Sequence, residues 1–231
     1  KLEKRYGVRK YGFHGTSYAF VANQSAKFLG IEQQDLNAVI LHLGNGASAC
    51  AVKSGRSFNT SMGMTPLQGL VMGTRSGDID PGIIFYLGNE AGLSNAEIDE
   101  MLNAKSGLKG LTGISDMRDI SALAAAKDPL AQEALEIYTQ RVRHYLGAYF
   151  AELGQLDAIV FTAGVGENSA EIRSMVCANL KALGIEIDDD LNQAKAKNNR
   201  DISLLGSRVR VLVIPTNEEL EIASQTAALL R

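Results

Sequence analysis

The chain has 231 residues, of which 45% are hydrophobic and 21% are charged, so it can bury one large core or two small ones. A formal net charge of -3 gives no basic surface for nucleic acid or an anionic membrane, and no apolar stretch approaches the roughly 18 residues of a membrane span. Cys50 and Cys177 lie too far apart for a CxxC pair, and the basic first residues lack the apolar segment of a secretory signal, so we expect a cytoplasmic protein with no disulfide, no nucleic acid and no membrane partner.

The first predicted elements form a strand meander. A short apolar run, Ala38–Leu43, predicts a buried strand that ends at glycines. Two further strand-like runs cover residues 47–53 and 56–61, and the Ser54-Gly55 pair between them is typical of a tight hairpin turn.

The middle of the chain has helical spacing. The first helix is predicted over residues 82–90 and the second over residues 94–104. Ser94 or Asn95 can cap the second helix, and Glu97 can complete a capping box.

The remaining elements alternate between helices and strands, which favours an α/β or mixed-sheet architecture. A long helix, Pro129–Leu153, carries a broad apolar stripe and is the best candidate for a spine or a dimer contact. The later predictions are a strand over 156–164, a helix over 168–183, strands over 184–188 and 208–215, and a helix over 218–230 capped by Asn217.

Four short, polar, glycine-flanked stretches stand out. They are YGFHGTS at 11–17, HLGNGAS at 42–48, VMGTRSGDIDPG at 71–82 and FTAGVGENS at 161–169. Backbone N–H groups in such turns can face phosphate oxygens, although most single glycine turns have no ligand. A G-x-x-x-x-G-K-[ST] phosphate loop is absent from the sequence.

One alternative is a dinucleotide fold. The FTAGVGENS stretch follows a predicted strand and opens a helix, and the acidic run 188–190 about 22 residues later can hold a ribose. Two residues argue against an NAD-binding oxidoreductase. Ser169 replaces the third glycine, and Glu167 places negative charge where a pyrophosphate would lie.

Together with NTSMGMTPLQGL at 59–70 and IPTNEELEIA at 214–223, the four stretches resemble the acetate/propionate kinase family, the acyl kinases of the actin-like ATPase superfamily. The order and separations fit over essentially the whole chain. The resemblance implies an α/β, ribonuclease H-like domain with a mixed sheet flanked by helices. It further implies that residues 1–231 are a C-terminal nucleotide-binding domain, with 1–20 near the interdomain region and the family's N-terminal domain absent.

The resemblance implies reversible phosphoryl transfer between ATP and acetate, with Mg2+, giving acetyl phosphate and ADP; propionate and butyrate are alternative substrates, and a homodimer is expected. The implied catalytic residues are His14 and Arg75, and the implied acyl pocket includes Phe13 and Pro66. Glu218 corresponds to the magnesium-associated acid. The implied nucleotide-binding residues are His42, Leu43, Gly44, Asn45, Gly46, Asp116, Met117, Arg118, Gly164, Val165, Gly166, Glu167 and Asn168.

Arginine suits the chemistry that the resemblance implies. A transferring phosphoryl group spreads charge over its equatorial oxygens, and a guanidinium can bind two of them at once. We therefore expect Arg75 to bind an anion, with Asp78 or Asp80 holding the loop through backbone hydrogen bonds. Without the resemblance, a lone His14 would be read as a turn residue, and Glu218 as a first-turn acid favoured by the helix dipole.

The sequence also departs from the family pattern. Tyr18 stands where the family often has a second histidine, although that position is not among those expected to contact the phosphoryl group. The N-terminal asparagine, arginine and aspartate motifs of the family do not occur. We therefore expect this chain alone to form acyl phosphate only at background level, and a non-catalytic nucleotide-binding and dimerising domain stays open as the alternative.

Overall fold

The computed structural model describes residues 1–195 and 197–230, and the fold is built on a mixed sheet. Its six strands are β1 (Ala38–Leu43), β2 (Ala47–Lys53), β3 (Arg56–Thr60), β4 (Ala158–Thr162), β5 (Arg200–Asp201) and β6 (Arg210–Val213). They lie in the order β3-β2-β1-β4-β6-β5. The inner strands β1, β4 and β6 are parallel, whereas β2, β3 and β5 pair antiparallel to their neighbours.

Helices cover both faces of this sheet. They are α1 (Leu2–Tyr6), α2 (Gly15–Leu29), α3 (Gly82–Glu90), α4 (Asn95–Ala104), α5 (Gly107–Thr112), α6 (Met117–Ala125), α7 (Pro129–Leu153), α8 (Ala163–Asn168), α9 (Ala170–Cys177), α10 (Asp189–Gln193) and α11 (Glu218–Leu229). Strand β1 is buried along its whole length. Its odd-numbered residues pack toward α7 and α9, and its even-numbered residues pack toward α2.

Several predicted elements are confirmed. The β2–β3 turn places Ser54 and Gly55 at φ of 50° and 69°, the positive values that a type I′ hairpin turn requires. Ser94 caps α4, and Glu97 donates its N–H to the Ser94 hydroxyl while its carboxylate accepts the Ser94 N–H, so the capping box is present.

The long helix α7 serves as the spine of the domain. Most of the predicted apolar stripe is buried, including Tyr138, Val142 and Tyr149, and it packs in the larger hydrophobic cluster. Leu130 is the exception, since it is 57% exposed at the first turn. The dimer contact predicted for this helix stays a prediction.

Two predictions in the C-terminal half are wrong. The helix predicted over 168–183 is too long. Helix α9 starts where the Ser169 hydroxyl accepts the Ile172 N–H, but it ends at Cys177. Beyond it Asn179 takes a left-handed conformation, and only a short 3-10 turn follows at Lys181–Leu183. The strand over 184–188 is only an isolated bridge between Ile187 and Ser203, because Asp188 turns the chain into α10 as its N-cap.

No helix among residues 1–195 and 197–230 combines the length and the apolarity needed to span a bilayer. Cys50 and Cys177 are buried free thiols, as the sequence predicts. Burial raises the pKa of Cys50 to about 11, so its thiol stays protonated and unreactive near neutral pH.

Candidate active site

The candidate site lies at one edge of the sheet, where the parallel strands β1, β4 and β6 all end. In open α/β sheets, ligands bind outside the carboxyl ends of parallel strands. The HLGNG turn follows β1, helix α8 follows β4, and the segment leading to α11 follows β6. Three of the stretches singled out from the sequence therefore meet at this edge.

A cavity of about 1260 Å³ opens beside these strand ends. Nine of the nucleotide-binding candidates line it, namely Gly44, Asn45, Asp116, Met117, Arg118, Gly164, Val165, Glu167 and Asn168. Leu43 and Gly166 are buried and do not line the cavity, and neither do His42 and Gly46. Leu43, Gly46 and Gly166 are each adjacent in the chain to a residue that does, whereas His42 is two residues from Gly44.

The glycines of the VMGTRSGDIDPG stretch have packing roles. A Cβ on Gly73 would lie 2.1 Å from the Asn45 amide oxygen, so this glycine lets the two loops touch. Gly77 has φ of +72°, and a Cβ there would lie 2.4 Å from the Leu70 carbonyl oxygen. At least two glycines of this stretch, Gly73 and Gly77, are thus explained by loop packing and not by a ligand.

Asp78 and Asp80 stabilise the same loop, as predicted. Asp78 accepts the Gly69 N–H at 3.0 Å and the Tyr145 hydroxyl at 2.6 Å, and it pairs with Arg141 at 3.2 Å. Asp80 accepts the Gly82 N–H at 2.9 Å. Neither carboxylate is paired with Arg75.

Arg75 itself is left with weak partners. Its Nη1 donates to the Pro66 carbonyl at 3.4 Å and lies 3.7 Å from the Met72 sulfur, and no carboxylate among the described residues pairs with it. A half-buried guanidinium without a counter-ion is suited to an incoming anion.

His14 and Arg75 converge on Gly46. A Cβ built on Gly46 would lie 3.5 Å from Arg75 Nη1 and 3.9 Å from His14 Nε2, so the missing side chain leaves a space that both groups face. His14 has φ of 62°, a strained backbone conformation for a non-glycine residue. Phe13 precedes it and packs against the larger core, and Pro66 contacts Arg75 through its carbonyl.

The rings of His14 and His42 stack, with centroids 4.1 Å apart and an angle of 16° between the planes. Burial and the neighbouring His14 lower the pKa of His42 to about 3, and burial and the Arg75 charge lower the pKa of His14. Both imidazoles are therefore neutral at pH 7, and Arg75 supplies the positive charge of this cluster.

Hydrogen bonds connect His42 to the neighbouring loops. His42 Nδ1 lies 2.9 Å from the Ser17 hydroxyl, which lies 2.8 Å from the Thr216 hydroxyl. The Thr216 N–H donates to Glu167 at 3.3 Å. This network joins α2, β1, α8 and the segment before α11, so Glu167 has a structural partner in addition to its place on the cavity wall.

The Asp116–Arg118 pair also lines the cavity. Asp116 caps α6, and Arg118 donates to its carboxylate through Nε at 3.0 Å and Nη2 at 2.5 Å. These bonds lower the pKa of Asp116 to about 2, so the carboxylate is ionised near neutral pH. Both side chains face solvent and are accessible to a ligand.

Glu218 is the first residue of α11, after the Asn217 cap. Among the described residues, no group of three or more His, Cys, Asp or Glu side chains has metal-binding geometry. The described residues therefore form no preformed cage of three or more such side chains at Glu218, which does not line the cavity. A carboxylate without such a cage fits Mg2+, which proteins often hold through one or two carboxylates while waters and substrate phosphates complete the octahedron.

Arg173 and Arg200 were not predicted from the sequence. Arg173 is 1% exposed and donates to the Gly166 and Glu167 carbonyls at 2.9 and 3.0 Å, and to the Asn192 side chain at 2.7 Å. Arg200 also donates to the Glu167 carbonyl, at 3.3 Å. Burial and Arg200 lower the pKa of Arg173 to about 10, a value at which it still carries its charge at pH 7.

Cationic side chains outnumber anionic ones around the cavity. The cations are Arg118, Arg173, Lys195, Lys197 and Arg200, and the anions are Asp116, Glu167 and Glu171. An excess of positive charge in a concave site attracts a polyanion such as a nucleotide.

Comparisons with known proteins identify the family of the chain. A family model described as the Acetokinase family matches residues 1–224. Curated acetate kinases from Leifsonia xyli subsp. xyli and Streptomyces coelicolor are 55% and 53% identical over 97% and 100% of this chain. The chain spans 56% of the length of each of these relatives.

Solved structures give the same result. The chain matches Porphyromonas gingivalis acetate kinase with a TM-score of 0.96 at 42% identity, covering 100% of this chain and 58% of that one. It matches a propionate kinase from Francisella tularensis subsp. tularensis SCHU S4 with a TM-score of 0.91 at 47% identity, covering 97% of this chain and 57% of that one.

The mixed sheet, its helical layers and the cavity at the strand ends define an α/β domain of the actin-like ATPase fold, as the resemblance implied. Within that class, the chain belongs to the acetokinase family. The family match supersedes the dinucleotide-fold alternative, and the acidic run 188–190 on which that alternative depended starts α10 instead of ending a strand.

Proposed function

We propose that residues 1–231 form the nucleotide-binding part of an acetate kinase, in which the γ-phosphoryl group of ATP is transferred reversibly to acetate. One observation carries the proposal. Arg75 without a carboxylate partner and His14 Nε2 both face the space left by Gly46, beside a cavity large enough for a nucleotide. The relatives named acetate kinase supply the identity of the carboxylate.

The chemistry follows from charge and position. In-line phosphoryl transfer develops negative charge on equatorial oxygens, and catalysis depends on positioning and on charge stabilisation. Arg75 carries a permanent charge with a planar fork that can bind two oxygens, and neutral His14 can add one N–H donor. Gly46 lets the phosphoryl group approach both, because it has no side chain to occupy the gap.

The nucleotide would occupy the large cavity. In this arrangement the adenosine lies near Asp116, Met117 and Arg118, and the phosphates lie near the turns at 42–46 and 164–168. Mg2+, held by Glu218 and the phosphates, would neutralise charge on the phosphate oxygens when bound. Phe13 and Pro66, which flank His14 and Arg75, would contact the acyl methyl group.

The remaining parts of the proposal concern context. We infer that the domain works with an N-terminal domain of the kind found in full-length relatives, that it dimerises, and that it acts in the cytoplasm. Propionate is an alternative substrate, because one structural neighbour is a propionate kinase. Butyrate, which is one methylene longer, is a further alternative.

Trapping of acyl phosphate as hydroxamate tests the reaction. The chain is assayed with ATP, Mg2+ and acetate, propionate or butyrate, alone and after complementation with the remaining part of Leifsonia xyli acetate kinase. We expect background product from the chain alone and acetate-selective turnover after complementation, which Arg75→Ala lowers by about 1,000-fold. Nucleotide binding without turnover in a folded complemented protein would favour the non-catalytic alternative.

A further inference from the structure

Tyr18 belongs to a short chain of hydrogen bonds that ends at His14. The Tyr18 hydroxyl is hydrogen-bonded to the Ser48 hydroxyl, and Ser48 Oγ lies 2.7 Å from His14 Nδ1. Tyr18 is 2% exposed and Ser48 is fully buried, so neither hydroxyl has water as an alternative partner. Tyr18 stands where acetate/propionate kinases often have a histidine, and no role was expected for it from the sequence.

Only one direction of proton donation satisfies every group. If Tyr18 donates to Ser48 and Ser48 donates to His14 Nδ1, each buried hydroxyl proton has an acceptor. If His14 Nδ1–H donates to Ser48 instead, Ser48 either donates to Tyr18 or accepts from both neighbours through its two lone pairs. In either case one buried hydroxyl proton, that of Tyr18 or that of Ser48, has no acceptor among the described residues, which is unfavourable for a buried donor.

The direction of proton donation decides the tautomer of His14, because Tyr18 is protonated and His14 is neutral at pH 7. Burial raises the pKa of Tyr18 well above its ordinary value, so the phenol keeps its proton. The pKa of His14 is lowered by burial and by Arg75, so the ring carries a single proton at pH 7. The other neighbours of the ring are His42, which is neutral and stacks on its face, and the Arg75 guanidinium. The single proton must therefore lie on either Nδ1 or Nε2.

We propose that Ser48, which accepts from Tyr18 and donates to His14, is a positioning residue that holds His14 in the Nε2–H tautomer. His14 Nε2 is the atom that faces Gly46 and Arg75, so the proton is aimed at the space between them. The functional meaning of this arrangement depends on the phosphoryl-transfer role proposed above. The opposite tautomer would turn a lone pair toward an anionic phosphoryl group, and it would repel that group where a donor is needed.

The tautomer can be measured directly by two-bond 1H–15N correlation NMR of the histidine rings. The chain contains three histidines, so His14 is assigned by comparison with His42→Gln and His144→Gln variants. We expect a single Nε2–H form of His14 at neutral pH in the wild type. Ser48→Ala should produce a mixture with the Nδ1–H form, because no hydroxyl then donates to Nδ1. Tyr18→Phe should keep the Nε2–H form, because His14 Nδ1 is then the remaining acceptor for the Ser48 proton.

Tyr138→Phe is the matched control for Tyr18→Phe. It removes another fully buried phenol, whose hydroxyl has no hydrogen-bond partner among the described residues, so the His14 signals should not change. Ser48→Ala removes only the hydroxyl that contacts Nδ1 and creates no clash. Circular dichroism checks the folding of each variant, and the wild-type tautomer tests the proposal even if one of them does not fold.

A wild-type His14 in the Nδ1–H form, a single Nε2–H form that persists in Ser48→Ala, or an Nδ1–H form in Tyr18→Phe would overturn the proposal. The spectra are recorded without nucleotide or carboxylate. A failure of the tautomer assignment would therefore leave the proposed reaction standing. Absence of turnover in the trapping assay would likewise leave the tautomer result unaffected.

Discussion

Arg75 is the residue on which the proposed chemistry depends most strongly. Its protein contacts are a long hydrogen bond to Pro66 and a contact with the Met72 sulfur, and neither contributes much to folding. Its charge, by contrast, faces the gap at Gly46. The two roles of this side chain can therefore be separated by experiment.

We predict that Arg75→Ala lowers phosphoryl transfer in the complemented enzyme by about 1,000-fold, the lower end of the effect of arginine on such transition states. The free energy of unfolding should change by less than about 1 kcal/mol. Arg56→Ala, an exposed variant at the opposite end of the sheet, is the control for both measurements. A large loss of stability with little loss of rate would assign Arg75 a structural role.

His42 makes stability depend on pH. Its pKa is about 3 in the folded protein and about 6.5 when unfolded, so between these values the unfolded state binds more protons. Stability therefore rises with pH through this window. At pH 5 the wild type should have lost about 2 kcal/mol of its unfolding free energy relative to alkaline pH through this residue.

Urea unfolding of the wild type and of His42→Gln, at several values between pH 5 and pH 8, measures this contribution. Glutamine can still hydrogen-bond to Ser17 but does not titrate, so its pH slope should be shallower. Contributions from other titratable groups are common to both proteins and cancel. Equal slopes would show that His42 is not held neutral by burial.

The buried Arg173 connects α9 to α8 and to α10 through hydrogen bonds. Arg173→Met removes the donors that satisfy the Gly166, Glu167 and Asn192 carbonyls. Loss of such a buried network should cost about 3 kcal/mol of unfolding free energy. We also expect weaker ADP binding, because the 164–168 turn loses its support.

Ser94→Ala is the matched control for this prediction. It removes the cap of α4, which does not line the cavity, and should cost about 1 kcal/mol. Calorimetry should find its ADP affinity unchanged. Equal ADP affinities in the Arg173→Met and wild-type proteins would show that the arginine stabilises the fold without supporting the nucleotide turn.

Local signals explain which elements were predictable. The Ser54-Gly55 turn and the Ser94–Glu97 capping box are decided by neighbouring residues, and the Pro129–Leu153 helix by its periodic spacing. Apolar residues at helical spacing continue past Cys177, so the sequence does not reveal the end of α9, where Asn179 takes a left-handed conformation. The run around Ile187 predicts a strand, but pairing there depends on a distant segment and is limited to one bridge with Ser203.

In the molecule as a whole, the candidate site consists of segments that are far apart in the sequence. The resemblance predicts His14, Arg75 and the turns at 42–46 and 164–168 as site residues, and in the structure they lie at one edge of the sheet. Arg173 has no comparable signal except that it lies on the buried side of an amphipathic helix, next to Ile172 and Val176. The Tyr18–Ser48–His14 chain joins two elements and is visible only in three dimensions.

Calorimetric titration with Mg-ADP tests the central claim, that this chain contains a nucleotide site at the strand ends. We predict one saturable site in the wild type, about tenfold weaker in Arg118→Ala and unchanged in Arg56→Ala. Arg118 lines the cavity, whereas Arg56 lies at the opposite end of the sheet. A chain that is folded by circular dichroism yet binds no Mg-ADP, or binds it equally well in all three proteins, would contradict the account.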